Sequence, residues 1–214
     1  AYLAGILRER APGIMATSGL GGGRSNLADL ARGRGAYALT TASSLHGAGT
    51  GALRAVMNLS ELQLFIVART APAQSVAREL ATRRVSPGEQ GFSAAQLLDD
   101  VRRLGGTPRG RKPRTPVYMD YPEGRRLLAA GGVDVLFWLS GLSNALLHEI
   151  ELATPTRLWR LEEPIIDRLI RANPGYRRGI VPRDAFPQWL DADLPTVVVP
   201  TVLACHAERP EAEV

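Results

Sequence analysis

The chain has 214 residues, 45% of them hydrophobic and 22% charged, which is the make-up of a soluble α/β domain or pair of lobes with a proper core. The formal charge is +5, and Lys112 is the single lysine among 26 basic residues. Scattered arginines without interleaved aromatics argue against nucleic acid as a partner, and the longest apolar run, residues 133–147, is too short and too interrupted by Asp134, Ser140, Ser143 and Asn144 to span a bilayer.

The chain opens on AYLAGILRER, with Tyr2, Leu3, Ile6 and Leu7 on one helical face and Pro12-Gly13 as a stop. That opening lacks the basic start and apolar stretch of a secretory signal. A start inside a helical pattern reads as a chain whose preceding residues lie outside this numbering. GIMATSG then reads as a short strand entering the glycine-rich loop GLGGGRS. Asn26–Arg32 reads as a helix capped by Ser25 or Asn26 and ended by Gly33. AYALTT is a strand, ASSLHGAG a helical turn, and LRAVMNL and ELQLFIVAR are two strands, the second apolar enough to be central.

APAQSVAREL reads as a helix and TRRVSPG as a strand. Phe92, Leu97, Leu98, Val101 and Leu104 have helical spacing, and Gly105-Gly106 ends that helix. PRGRKPR is a solvated loop, PVYMDY a strand, PEGRRLLAAGG a helix and VDVLFWL a buried-type strand. The loop SGLSN, a helix, a short strand, an acid-led helix ending at NPGY and a proline-punctuated strand region complete the chain. The alternation of strands and helices predicts a mostly parallel α/β architecture.

Three loops could serve a ligand. The loop at 17–26 precedes a helix, so its N–H groups could hold an anion, or it is a plain flexible connection. It lacks the Gly-Lys-Ser/Thr ending of a phosphate-binding loop. SPGEQGFSA follows a strand and opens the helix at 92–104, where Ser93 either caps the helix or offers its hydroxyl. Phe137-Trp138-Leu139-Ser140-Gly141 could set an aromatic wall and a hydroxyl at a strand end, although Trp138 fits a plain core equally, and Ser143 or Asn144 caps the next helix. His46, His148 and His206 have no metal-ligand spacing, and no nucleophile elbow or defensible acid/base pair appears. No cofactor and no metal are expected. Cys205, alone in an apolar strand, reads as a buried inert thiol.

These residues resemble the TAXI family, the substrate-binding proteins of TRAP transporters. Gly132-Val133-Asp134-Val135-Leu136-Phe137 is similar to the family's G-x-x-D-A-F-F, and Arg157-Leu158 with Leu161 to R-L-x-x-L. Pro174-Gly175-Tyr176 is similar to P-x-Y, and Leu194-Pro195-Thr196-Val197-Val198-Val199-Pro200 to V-P-T-V-x-V-P. ATSG…SNLADLARGRGAYAL and VSPGEQGFSA are similar to A-T-x-G-S-x-x-N-x-x-L-L-x-x-G-x-A-D-L-A and V-S-x-G-x-x-G-S-G-T, with Phe92-Ser93-Ala94 where Ser-Gly-Thr is usual.

The resemblance implies an α/β, type II periplasmic-binding-protein fold. Two lobes would flank a ligand cleft, one of residues 1–69 and 140–214, the other of residues 70–139, with crossings near 67–72 and 137–141. It implies a non-enzymatic, monomeric, extracytoplasmic protein, with a membrane anchor in a terminal segment as one arrangement. Such a protein closes on a small organic anion, such as glutamate, another amino acid or a dicarboxylate, and hands it to TRAP membrane subunits. The residues expected to bind are Tyr2, Asn26, Ser93, Trp138, Ser140 and Ser143, with Thr17, Gly91 and Thr41 behind them. A sensory module and an enzyme on the same fold are the alternatives.

Overall fold

Every strand among the described residues belongs to one sheet, in the order β1-β7-β2-β4-β3, with β5 beside β2 and β6 beside β7. The computed structural model describes residues 9–10, 15, 22–47, 51–106 and 112–208. In chain order these hold α1 (Gly23–Ala31), β1 (Tyr37–Thr41), α2 (Ala42–Gly47), β2 (Leu53–Ala68), α3 (Val76–Thr82), β3 (Val85–Ser86) and α4 (Ser93–Gly105). They continue with α5 (Tyr121–Ala130), β4 (Val135–Ser140), α6 (Ala145–Ala153), β5 (Arg157–Leu158), α7 (Glu163–Ala172), β6 (Arg177–Val181) and β7 (Leu194–His206).

The mixed α/β class is as expected, but the sheet is mostly antiparallel. Among the described residues only β3 and β4 pair in parallel, while β2 runs antiparallel to β4, β5 and β7. The two strands expected at 53–59 and 61–69 are one strand of 16 residues. The polar stretch at Asn58, Ser60 and Glu61 breaks the apolar pattern without breaking the strand. Two register shifts against β7, between Ala55 and Met57 and between Asn58 and Ser60, absorb it. Such bulges bend a strand and leave the extra residue unpaired in the ladder. PVYMDY forms no strand: Pro116 cannot donate to a ladder, and Tyr121-Pro122 starts α5, with Asp120 accepting from the Glu123 N–H at 2.7 Å. Of the segments at 67–72 and 137–141, residues 67–68 close β2 and residues 137–140 lie in β4, which pairs with β2.

Helices cover both faces where the sheet is most apolar. Leu64, Ile66, Phe137 and Leu139 point to one side and meet Leu80 of α3, Leu97 and Val101 of α4 and Ile166 of α7. Phe65, Val67, Leu136 and Trp138 point to the other and meet Leu128 of α5, Leu147 and Ile150 of α6, and Phe186. The period-two alternation of a strand makes both sides of VLFWLS buried, which is why its sequence shows no polar face. Cys205 is fully buried. The part-exposed His148 ring stacks on Phe186, with centroids 4.5 Å apart.

Arg84 fixes the start of β4. Its guanidinium donates to both Asp134 carboxylate oxygens, at 3.2 and 2.6 Å, and to the Gly131 carbonyl at 2.8 Å. The hydrogen bonds from Arg84 hold the Asp134 carboxyl below its ordinary range. A group depressed in the folded state stabilises it above the unfolded carboxylate value of about 3.9 and loses that contribution as pH falls through the folded one. Asp134→Asn is therefore expected to melt below the parent at neutral pH. The gap should close as the pH is lowered past about 4 in thermal denaturation followed by circular dichroism.

Candidate functional site

β1 ends in Thr41 and turns at once into α2, so Thr41, Ser43 and Ser44 present three hydroxyls within one tight junction. α4 begins at Ser93 after a loop that turns through Gly88 and Gly91, at φ of 88° and 90°. Those left-handed turns favour glycine and carry the chain back over the end of β3. Phe92 occupies the capping position without a side-chain bond, so the Ser93 hydroxyl is not used as a cap.

The two junctions meet. Thr41 Oγ1 and Ser93 Oγ are 2.8 Å apart, and Ser44 Oγ is 3.3 Å from Ser93 Oγ. Thr41 Oγ1 also reaches Ser43 Oγ at 3.2 Å and donates to Ser44 Oγ at 3.1 Å. Ser44 donates to Gln96 Oε1 at 3.1 Å, and Asn173 Nδ2 donates to the Ser43 carbonyl at 3.0 Å. Thr41, Ser43, Ser44, Ser93 and Asn173 are all buried. Buried hydroxyls of this kind each donate one bond and accept others, so the group can re-aim toward an incoming polar atom.

Close backbone approach holds the same region together. A Cβ on Gly22 would stand 2.2 Å from the Gly91 carbonyl oxygen, and one on Gly175 would stand 2.3 Å from the Ser43 nitrogen. Asn26 Nδ2 donates to the Leu39 carbonyl at 2.7 Å, which fastens α1 to β1. The expected residues Asn26, Thr41, Gly91 and Ser93 thus gather where α1, β1 and α4 meet. Tyr2 and Thr17 lie outside the described residues.

The remaining expected residues serve elsewhere. Trp138 is fully buried and stacked on Tyr121, with ring centroids 4.3 Å apart, so it walls no opening. Tyr121 donates to the Leu139 carbonyl at 3.1 Å and meets Phe92 edge-on at 6.3 Å. The row Phe92–Tyr121–Trp138 therefore braces the loop before Ser93 against β4, and burial pushes the Tyr121 phenol well above its ordinary range. Ser140 accepts from Asn144 Nδ2 at 2.7 Å, and Asn144 Oδ1 accepts from the Leu146 N–H at 2.9 Å. Asn144, not Ser143, is the cap of α6, and Ser143 is exposed.

Sequence reasoning passed over Ser43, Ser44, Gln96, Asn173 and Tyr121. The signal for the first two was the density of hydroxyls in TTASS at a strand end. Gln96 and Asn173 reach the site only through tertiary packing. The hydroxyls of Thr41, Ser44 and Ser93 bond to Ser, Thr, Gln and backbone groups, and the Ser43 hydroxyl also meets the Tyr176 phenol, which donates to the Asp100 carboxylate at 2.7 Å. A cavity of about 540 Å³ adjoins the cluster along Ala42, Leu45, Leu53, Pro174 and Gly175, with His46 and Arg54 at its edge. None of the cluster's hydroxyls lines it, and its mainly aliphatic walls offer few directional groups.

A mixed sheet covered on both faces, with a polar cluster where strands run into helices, defines the class, and solved structures agree. The chain superimposes on the regulatory domain of CcmR from Synechocystis PCC6803, in complex with 2-PG, with a TM-score of 0.54 and 10% identity, covering 98% of this chain and 82% of that one. It does so on the amino acid ABC transporter substrate-binding protein AbpA from Streptococcus pneumoniae, bound to L-arginine, with a TM-score of 0.52 and 12% identity over 99% and 70%. For protein AF1704 from Archaeoglobus fulgidus the values are 0.51 and 11% over 89% and 57%, so this chain spans little more than half of that structure. The fold is the type II periplasmic-binding-protein fold. Residues 15–214 match the sequence profile of the NMT1-like family, and the chain belongs to that family. No curated protein sequence matches it.

Proposed function

We propose that this chain is an extracytoplasmic solute-binding protein of the TAXI type, which captures a small carboxylate and delivers it to TRAP membrane subunits. The observation that carries the reading is the meeting of Thr41 and Ser44 with Ser93 and Gln96 across the molecule. These hydroxyls and the positive end of α4 suit a carboxylate, which accepts hydrogen bonds only. AbpA, similar in fold, is bound to L-arginine, a small molecule that also carries a carboxylate. Among the described residues no helix is long and apolar enough to cross a membrane.

In this proposal the chain forms two lobes, and β2 and β7 are the strands that pass between them. The boundary then falls at the β2 register shift between Asn58 and Ser60, where Ser60 faces Thr201 and Glu61 faces Pro200. Boundaries at 69/70 and 139/140 would instead separate β2 from β4, which pair from Gln63 to Ala68. Thr41 and Ser44 belong to one lobe and Ser93 and Gln96 to the other, so a ligand entering between them would replace lobe-to-lobe hydrogen bonds with its own.

A second reading, a ligand-sensing module, is favoured by the likeness to the CcmR regulatory domain. Isothermal titration against amino acids, dicarboxylates and oxo acids tests the shared core of both. One carboxylate is expected to bind in the micromolar range or tighter, about −8 kcal/mol. Silence across the panel from a folded protein would sink the carboxylate reading.

A further inference from the structure

The arginines that look scattered in the sequence gather at one pole of the fold. β2 ends at Ala68, which pairs with Val135 at the start of β4 and with Arg157 in β5. Arg69 follows directly, and its Nη1 lies 3.3 Å from where a Cβ on Gly131 would stand. Arg84 donates to the carbonyl of that same Gly131 at 2.8 Å, and Arg83 precedes it. The Arg114 N–H donates to the Ala81 carbonyl at 2.8 Å, which brings Lys112 and Arg114 to the same end. The chain segments that turn here are far apart in sequence and adjacent in space, so one end of the sheet gathers Arg69, Arg83, Arg84, Lys112, Arg114 and Arg157.

Few carboxylates oppose them. Asp134 is taken by Arg84 and Glu79 by Arg83, and Glu162 accepts from the Val76 N–H. Among the described residues Arg69, Lys112, Arg114 and Arg157 are exposed and make no ion pair. An exposed apolar side chain lies in the segment that leads into Arg157. Leu152, on the last turn of α6, is 76% exposed, and the chain leaves that turn through Thr154 and Thr156 to Arg157. The hydroxyl cluster lies at the other end of β3 and β4, so the pole belongs to no part of the candidate ligand site.

We propose that this pole docks on a membrane surface, binding anionic phospholipid headgroups with its arginines and dipping Leu152 toward the acyl boundary. Arginine matches phosphate geometry with two parallel N–H donors. Clustered cations near an anionic leaflet add their attractions, and an exposed leucine in the segment leading into Arg157 gains from the interface and nothing from a nucleic-acid backbone. Docked this way, the molecule would hold its hydroxyl cluster away from the bilayer.

Co-sedimentation of the full chain with vesicles decides it. Vesicles of phosphatidylcholine with phosphatidylglycerol are expected to bind the protein at low salt and release it as salt rises, while phosphatidylcholine alone does not. The triple variant Arg69→Glu, Arg114→Glu, Arg157→Glu is expected to lower partitioning on the order of 100-fold or more. Leu152→Ser should lower it roughly 10-fold, with both variants keeping the parent circular dichroism and melting temperature. Equal binding to neutral vesicles, no binding to anionic ones, an unchanged triple variant, or tighter binding to duplex DNA at the same salt would each overturn the proposal.

Discussion

Gly175→Ala is expected to cost about 3 kcal/mol or more of stability and to abolish ligand binding at temperatures where the protein still folds. The new methyl would stand 2.3 Å from the Ser43 nitrogen and 2.4 Å from both the Ala42 carbonyl carbon and the Ser43 Cα. These neighbours are backbone atoms at the entry to α2, so no rotamer change relieves the overlap. The displacement falls on Ser43, whose carbonyl accepts from Asn173 and Gln96 and whose neighbours are Thr41 and Ser44. Urea denaturation gives the loss of stability, and titration with the proposed carboxylate ligand gives the loss of affinity. A stable, fully binding Gly175→Ala protein would mean that the α2 entry yields freely and does not fix the site.

Thr41→Val is expected to weaken carboxylate binding by roughly 10- to 100-fold, and Ser93→Ala by a similar factor, with little change in the folded state. Both hydroxyls are buried and 2.8 Å apart. Valine keeps the shape of threonine and removes its hydrogen-bonding oxygen, so the loss reports on the bond and not on a cavity. Each substitution leaves the other hydroxyl with partners, since Thr41 keeps Ser43 and Ser44, and Ser93 keeps Ser44. Stability should therefore change far less than affinity. Isothermal titration alongside thermal melting separates the two.

Much of the fold was legible because burial leaves a periodic trace. The helix at 92–104 showed itself through Leu97, Leu98 and Val101, and β4 through an apolar run with no polar face. The direction of the strands was not legible, since helices between strands suit parallel and antiparallel pairing alike when β2 and β7 are long. Nor was the continuity of β2, because a bulge tolerates the polar residues that usually end a strand.

The site divided along a similar line. Thr41, Gly91 and Ser93 stand at strand and helix ends, where the local sequence already suggests a polar junction. Trp138 misled because an aromatic near a strand end fits a core as well as a wall, and only Tyr121, distant in sequence, decides between them. Gln96 and Asn173 left no local trace: each is one polar residue on or after an amphipathic helix, and only the packing of α4 and α7 against α2 brings them to Ser43.

The most direct measurement is a double-mutant cycle on Thr41 and Ser93 in carboxylate affinity. If both hydroxyls hold one ligand group between the β1–α2 junction and α4, the combined variant should lose at least about 1 kcal/mol less than the two single losses added together. Affinities that stay at the parent value in all three variants, with ligand still bound, would contradict a site at this junction and move the ligand to the cavity beside Leu45 and Leu53.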